Sequence, residues 1–133
     1  MHKTFFIFGA LFGGLAVALG AFGAHGLQKI TSDDTIIRSY QTAVQYQMYH
    51  ALALLMVAFI FDRLKLSLLR WSGNSVITGI LLFSGSLYAI TALKINGKDV
   101  PALIGILTPI GGIFFIIGWL LLLITALKNF NAR

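Results

Sequence analysis

Hydrophobic residues fall along this chain in four long runs free of charge: Thr4 to Ala24, Ser39 to Phe61, Trp71 to Leu93 and Val100 to Leu127. Each reaches or exceeds the roughly 20 residues that cross a ~30 Å hydrocarbon core. None alternates apolar with polar as barrel strands do, and lipid offers backbone amides no partner, so each run reads as a helix. The spacing predicts an all-α, polytopic integral membrane protein. It consists of four transmembrane helices, over about 4–25, 34–61, 71–93 and 100–127, in one up-down bundle forming a single domain over 1–133.

Composition agrees with this pattern. The 133 residues are 58% hydrophobic and only 11% charged, with a mean hydropathy of +0.89, too apolar for a soluble domain of this size. All charged residues lie between the runs or at the ends, so the net charge of +6 belongs to membrane-flanking segments and does not point to nucleic acid. The absence of cysteine excludes disulfides and thiolate chemistry. Met1-His2-Lys3 and the small residues near Ala24 give the first run some likeness to a cleaved signal. Its apolar part is about 20 residues, where a signal core has 7–15, and it is expected to be retained.

On a helical wheel, Gly9, Gly13, Ala16, Gly20, Gly23 and Ala24 share one face of helix 1, opposite Phe8, Leu11, Phe12, Leu15, Leu19 and Phe22. Small residues let backbones approach closely, so the first face is expected to pack on a helix and the second to meet lipid. Thr31-Ser32-Asp33-Asp34 supplies caps for helix 2. The entering half of that helix carries Tyr40, Gln41, Thr42, Gln45, Tyr46, Gln47, Tyr49 and His50, a face that lipid would not accept. Helix 3 is hydroxylated late, at Ser84, Ser86, Tyr88 and Thr91. Asn96-Gly97 makes a tight turn, Asp99 is a cap candidate, and Pro101 opens helix 4. Pro109 lies mid-run and leaves the Gly105 carbonyl without its usual donor, so a kink is expected there.

An up-down topology puts His25, the polar half of helix 2, Ser84 to Thr91 and Thr108-Pro109 in the membrane half facing away from the termini. These stretches carry a resemblance. Gly20-Ala-Phe-Gly-Ala-His-Gly-Leu27, Thr42-Ala-Val-Gln-Tyr-Gln-Met-Tyr-His50, Ser84-Gly-Ser-Leu-Tyr88, Thr108-Pro-Ile-Gly-Gly112 and Gly118-Trp119 resemble the motifs of a small four-helix membrane family. It is known as domain of unknown function 423, with eukaryotic relatives called transmembrane protein 256. The resemblance covers nearly the whole chain and implies a bacterial inner-membrane protein, with no activity or catalytic residues to carry over.

Two readings of the polar residues remain. In the first they are interhelical glue, at about 0.6 kcal/mol per bond on average, and the chain is a structural or interaction protein packed through helix 1. In the second, His25, Gln41, Gln45, Tyr46, Tyr49, His50, Ser84, Ser86, Tyr88, Thr108 and Pro109 line a polar binding cavity of a small-solute or lipid-handling transport component. An enzyme is not expected, because no carboxylate lies within a span to orient His50 and no nucleophile motif is present. No metal or other cofactor is expected either. His2 lies on the opposite side from His25 and His50, and those two differ by about 12 Å in depth from the rise per residue. The expected partners are membrane lipid and, through helix 1, a second copy or another membrane protein. Lys3, Arg63, Lys65, Arg70, Lys128 and Arg133 on the terminal side outnumber Lys29, Arg38, Lys94 and Lys98, which favours cytoplasmic termini.

Overall fold

The computed structural model describes residues 1–64 and 67–130; Lys65 and Arg133, used above to orient the chain, lie outside the described residues. Four helices are long and apolar enough to cross a membrane: α1, Lys3–Ile30; α2, Asp34–Leu64; α3, Ser67–Ile95; and α4, Ala102–Phe130. All outrun the sequence-based bounds at one end or both, since charge marks where hydrocarbon stops while a helix continues until its caps.

Those caps are local. The Phe5 N–H donates to His2 Nδ1 at 3.4 Å to start α1. Asp33 opens α2, its Oδ1 accepting from Thr35 N at 2.8 Å and Thr35 Oγ1 at 2.7 Å. The Thr35 hydroxyl bond holds the Asp33 carboxyl below the usual carboxylate range. Gly97, at φ 65°, closes the Asn96-Gly97 turn in the left-handed region. Pro101 stands just ahead of α4 and Asp99 three residues ahead of it. Pro109 is enclosed in a helix that continues unbroken on both sides.

Sequential neighbours pack together, α1 on α2, α2 on α3 and α3 on α4, which leaves α2 and α3 in the middle. On α1 the buried positions are Phe5, Gly9, Phe12 and Ala16, followed by Gly23 and Leu27. Phe12 therefore belongs to the core and not to the lipid face assigned above. Steps of three and four residues turn one stripe of a helix inward, and Phe12 lies on that stripe. The buried positions of α2 include Ile36, Tyr40, Ala43, Gln47, His50, Leu54 and Val57, on the same spacing.

The small residues of α1 face α2, but unequally. A Cβ on Gly9 would come within 2.8 Å of the Leu55 side chain and 3.1 Å of the Ala51 carbonyl, and one on Gly23 within 2.7 Å of Tyr40. On Gly20 it would lie 3.3 Å from Val44, and on Gly13 3.9 Å from Ala51, an ordinary contact. Gly13, expected to be a point of closest approach, thus has room for a methyl group.

Two helices contain a wide turn with one extra residue, Gly23–Leu27 in α1 and Ile80–Ser84 in α3. The second underlies a backbone-to-backbone contact with α4. A Cβ on Gly111 of α4 would collide with the Phe83 backbone, its Cα at 2.8 Å, whereas one on neighbouring Gly112 would have nothing nearer than 3.9 Å. Backbone cannot step aside as a flexible side chain can. Gly111→Ala should destabilise the protein by about 1–3 kcal/mol, the usual cost of overpacking, while Gly112→Ala leaves thermal unfolding in detergent nearly unchanged.

At the terminal end, His2 stacks on Phe5 at 4.0 Å and meets the Phe61 ring edge-on at 4.5 Å. Burial, then the nearby Arg70 charge, hold its pKa below 6.5. The folded state thus binds this proton less readily than the unfolded chain. Stability is full above 6.5 and falls as pH drops below it. A protonated ring also cannot accept the Phe5 N–H. His2→Asn keeps a capping acceptor without the titration, so it should flatten the fall in melting temperature just below pH 6.5.

Candidate functional site

Besides His50, seven inward polar side chains reach across to a neighbouring helix, in six hydrogen bonds. From α2 to α1, the Tyr40 hydroxyl donates to Leu19 O at 2.7 Å and Gln47 Nε2 donates to Phe12 O at 2.8 Å. From α3 to α2, Ser84 Oγ donates to Ala43 O at 2.7 Å and the Tyr88 hydroxyl to Gln47 Oε1 at 2.8 Å. Between α3 and α4, Ser72 Oγ donates to Gly118 O at 2.8 Å, and Ser86 and Thr108 share a 2.6 Å hydroxyl bond. Gln47, only 3% exposed, ties three helices with one carboxamide.

His50 connects α2 to α4. Its Nδ1 lies 2.7 Å from Tyr46 O, and Trp119 Nε1 donates to its Nε2 at 3.2 Å. A carbonyl can only accept and an indole N–H can only donate, so the pattern is that of neutral imidazole with its proton on Nδ1. The ring stacks on Phe115 at 3.5 Å. With both nitrogens engaged, His50 has no free lone pair for a substrate proton or a metal.

The expected cluster is thereby divided. His50, Ser84, Ser86, Tyr88 and Thr108 lie among these bridging bonds. Gln41, Gln45 and Tyr49 lie on the opposite side of α2, exposed on the protomer surface. His25 is exposed in the wide turn of α1 and takes no part in the bonds above. Tyr46 and Pro109 edge a groove of about 460 Å³ between α2 and α4, together with His50, Phe83, Phe115 and Trp119. Gln41 and Gln45 edge a second groove of about 350 Å³ beside Gly20, Gly23 and Ala24.

Tyr40, Gln47, Ser72 and Trp119 were not among the expected site residues. The three-and-four spacing on α2 could have placed Tyr40 and Gln47, since Gln47 falls one turn from both Ala43 and Ala51, each fully buried. Nor is buried polarity confined to one half of the bundle. Ser72, Ser75 and Thr125 are buried toward the terminal end, where small hydroxyls in a helix pass as apolar because they can bond to carbonyls. Thr91 Oγ1 is buried without a partner among the described residues.

A shared bond makes two substitutions non-additive. In a double-mutant cycle, Gln47→Leu and Tyr88→Phe should show a coupling of about 0.6–1.7 kcal/mol in detergent unfolding, whereas Tyr88→Phe with Ser72→Ala should simply add.

Comparison with known proteins agrees with this architecture. The family model described as Protein of unknown function (DUF423) matches residues 19–112. A UPF0382 membrane protein of Bacillus subtilis, YwdK, is 44% identical over 128 residues, covering 95% of this chain and 98% of the relative. A UPF0382 membrane protein of Staphylococcus aureus is 44% identical over 126 residues, covering 95% and 97%. One of Schizosaccharomyces pombe is 40% identical over 117 residues, covering 86% and 94%. No solved structure matches the chain. Four membrane-spanning helices and relatives matched nearly end to end place this chain in the DUF423 family of multi-pass membrane proteins, whose molecular function is unknown.

Proposed function

We propose that the protein is a structural or interaction component of the membrane, and not a carrier or an enzyme. The observation that supports this reading is that most of its inward polar side chains are consumed in joining helices. Gln47, Ser84, Tyr88 and His50 each end on a neighbouring helix. A transport site needs polar groups that a solute can take over in exchange for its hydration shell. These are already paired, and His50, the one inward imidazole, has both nitrogens engaged. The setting we infer is a bacterial inner membrane, as the resemblance to membrane proteins of Bacillus and Staphylococcus suggests, with both termini in the cytoplasm, which the Lys and Arg bias favours.

A lipid-handling role has one observation in its favour, the groove between α2 and α4. It is lined by Tyr46, Phe83, Phe115 and Trp119 and wide enough, at about 460 Å³, for part of a lipid tail. Native mass spectrometry after delipidation separates the two. On the structural reading the protein retains no stoichiometric lipid, and His50→Leu lowers the melting temperature. A lipid retained at one per protomer and displaced by Ile113→Trp, which would fill the groove, would establish the lipid-handling role instead.

A further inference from the structure

The outer face of α2 carries an anomaly for a helix in lipid. Gln41, Gln45, Tyr49, Leu52, Met56 and Phe59 are all exposed, Tyr49 by 57% and Phe59 by 60%. They recur every three or four residues, so they form one continuous stripe opposite the buried seam. Leucine, methionine and phenylalanine can face acyl chains. The two carboxamides cannot do so without loss, because hydrocarbon supplies neither donor nor acceptor. Gln45 lies six residues inside the uncharged stretch that begins at Ser39, about 9 Å at 1.5 Å per residue. Neither Gln41 nor Gln45 has a hydrogen-bond partner among the described residues.

We propose that this stripe is the seam of a symmetric dimer, in which α2 of one protomer lies parallel to α2 of a second copy. Three features favour a second copy over an unrelated partner. A two-fold axis normal to the membrane sets each residue of the seam against itself or a near neighbour. A carboxamide is its own complement, its N–H meeting the carbonyl of its twin, as buried amides do in fixing the register of paired helices. No charged residue interrupts the stripe between Arg38 and Asp62 to repel its copy. Just outside the hydrocarbon, Asp34 and Arg38 are one turn apart and both exposed. Each can then meet the opposite charge across the axis. The groove of about 350 Å³ beside Gln41 and Gln45, bounded by Gly20, Gly23 and Ala24, leaves space for the facing glutamine side chains. The small face of α1 is unsuited to this role, because Gly9 and Gly23 already lie against Leu55 and Tyr40 of the same chain.

The chain has no cysteine, so single cysteines introduced into the full-length protein report proximity without background. In native membranes under mild oxidation, Leu52→Cys and Phe59→Cys should form disulfide-linked dimers, while Val17→Cys on α1 and Leu123→Cys on α4, both exposed, should not. Adding Gln41→Leu and Gln45→Leu to Leu52→Cys should cut the linked fraction about tenfold. It should leave protomer melting unchanged, since neither carboxamide carries a bond within the protomer. Absent linkage at Leu52 and Phe59, equal linkage at all four positions, or linkage insensitive to the glutamine replacements would overturn the proposal. So would a monomeric mass in lipid nanodiscs with a polar lipid or a different protein bound at the stripe.

Discussion

A polar side chain inside hydrocarbon can be satisfied only by another part of the protein, and in this bundle that requirement falls chiefly on α2. It donates to α1 through Tyr40 and Gln47, accepts from α3 at Ala43 and Gln47, and accepts from α4 at His50. Association of helices in lipid lacks the hydrophobic drive that operates in water, so packing and hydrogen bonds must specify the arrangement. A helix that is polar on its inner face can be placed in only one rotational setting. The apolar helices α1 and α4 take their positions from it and from α3.

Close packing is obtained by setting rings against glycines. Phe5 of α1 lies where a Cβ on Gly73 would be, 2.5 Å from its ring, and Phe115 of α4 stands in the same relation to Gly79. Each ring from an outer helix thus seats in a notch on α3. At Gly111 the contact is backbone to backbone, and it falls on the widened turn at Ile80–Ser84. That turn ends on Ser84, whose hydroxyl reaches Ala43. One extra residue in α3 is therefore associated with both a backbone contact to α4 and a bond to α2.

Much of the fold was legible in the sequence, because long uncharged runs have few solutions in a membrane. The four helices, the Asp33 cap and the Asn96-Gly97 turn could be read from local chemistry. Rotational detail could not. Sorting α1 by residue size sends Phe12 to the lipid side, since a wheel cannot show that a large ring fills space beside a small residue. On α2, polarity alone does not mark the inner face. The helix is polar on two faces, and only the spacing of its apolar positions separates buried Gln47 from exposed Gln45. The wide turns have no local signature in the sequence, yet each shifts the register of the downstream helix by one residue. Trp119 and His50 are 69 residues apart, a pairing that only tertiary structure reveals.

Four of the interhelical bonds end on main-chain carbonyls, those of Phe12, Leu19, Ala43 and Gly118. Every residue has a carbonyl, so the accepting position can change identity without losing the bond, provided the helix stays where it is. The donating side has no such freedom. Mutational tolerance is therefore asymmetric across each contact. Helix α1 accepts two of these bonds and donates none of them, so it can drift in sequence on its bonded face wherever side-chain volume permits. The donors of these four bonds, Tyr40 and Gln47 on α2 and Ser72 and Ser84 on α3, carry their specificity.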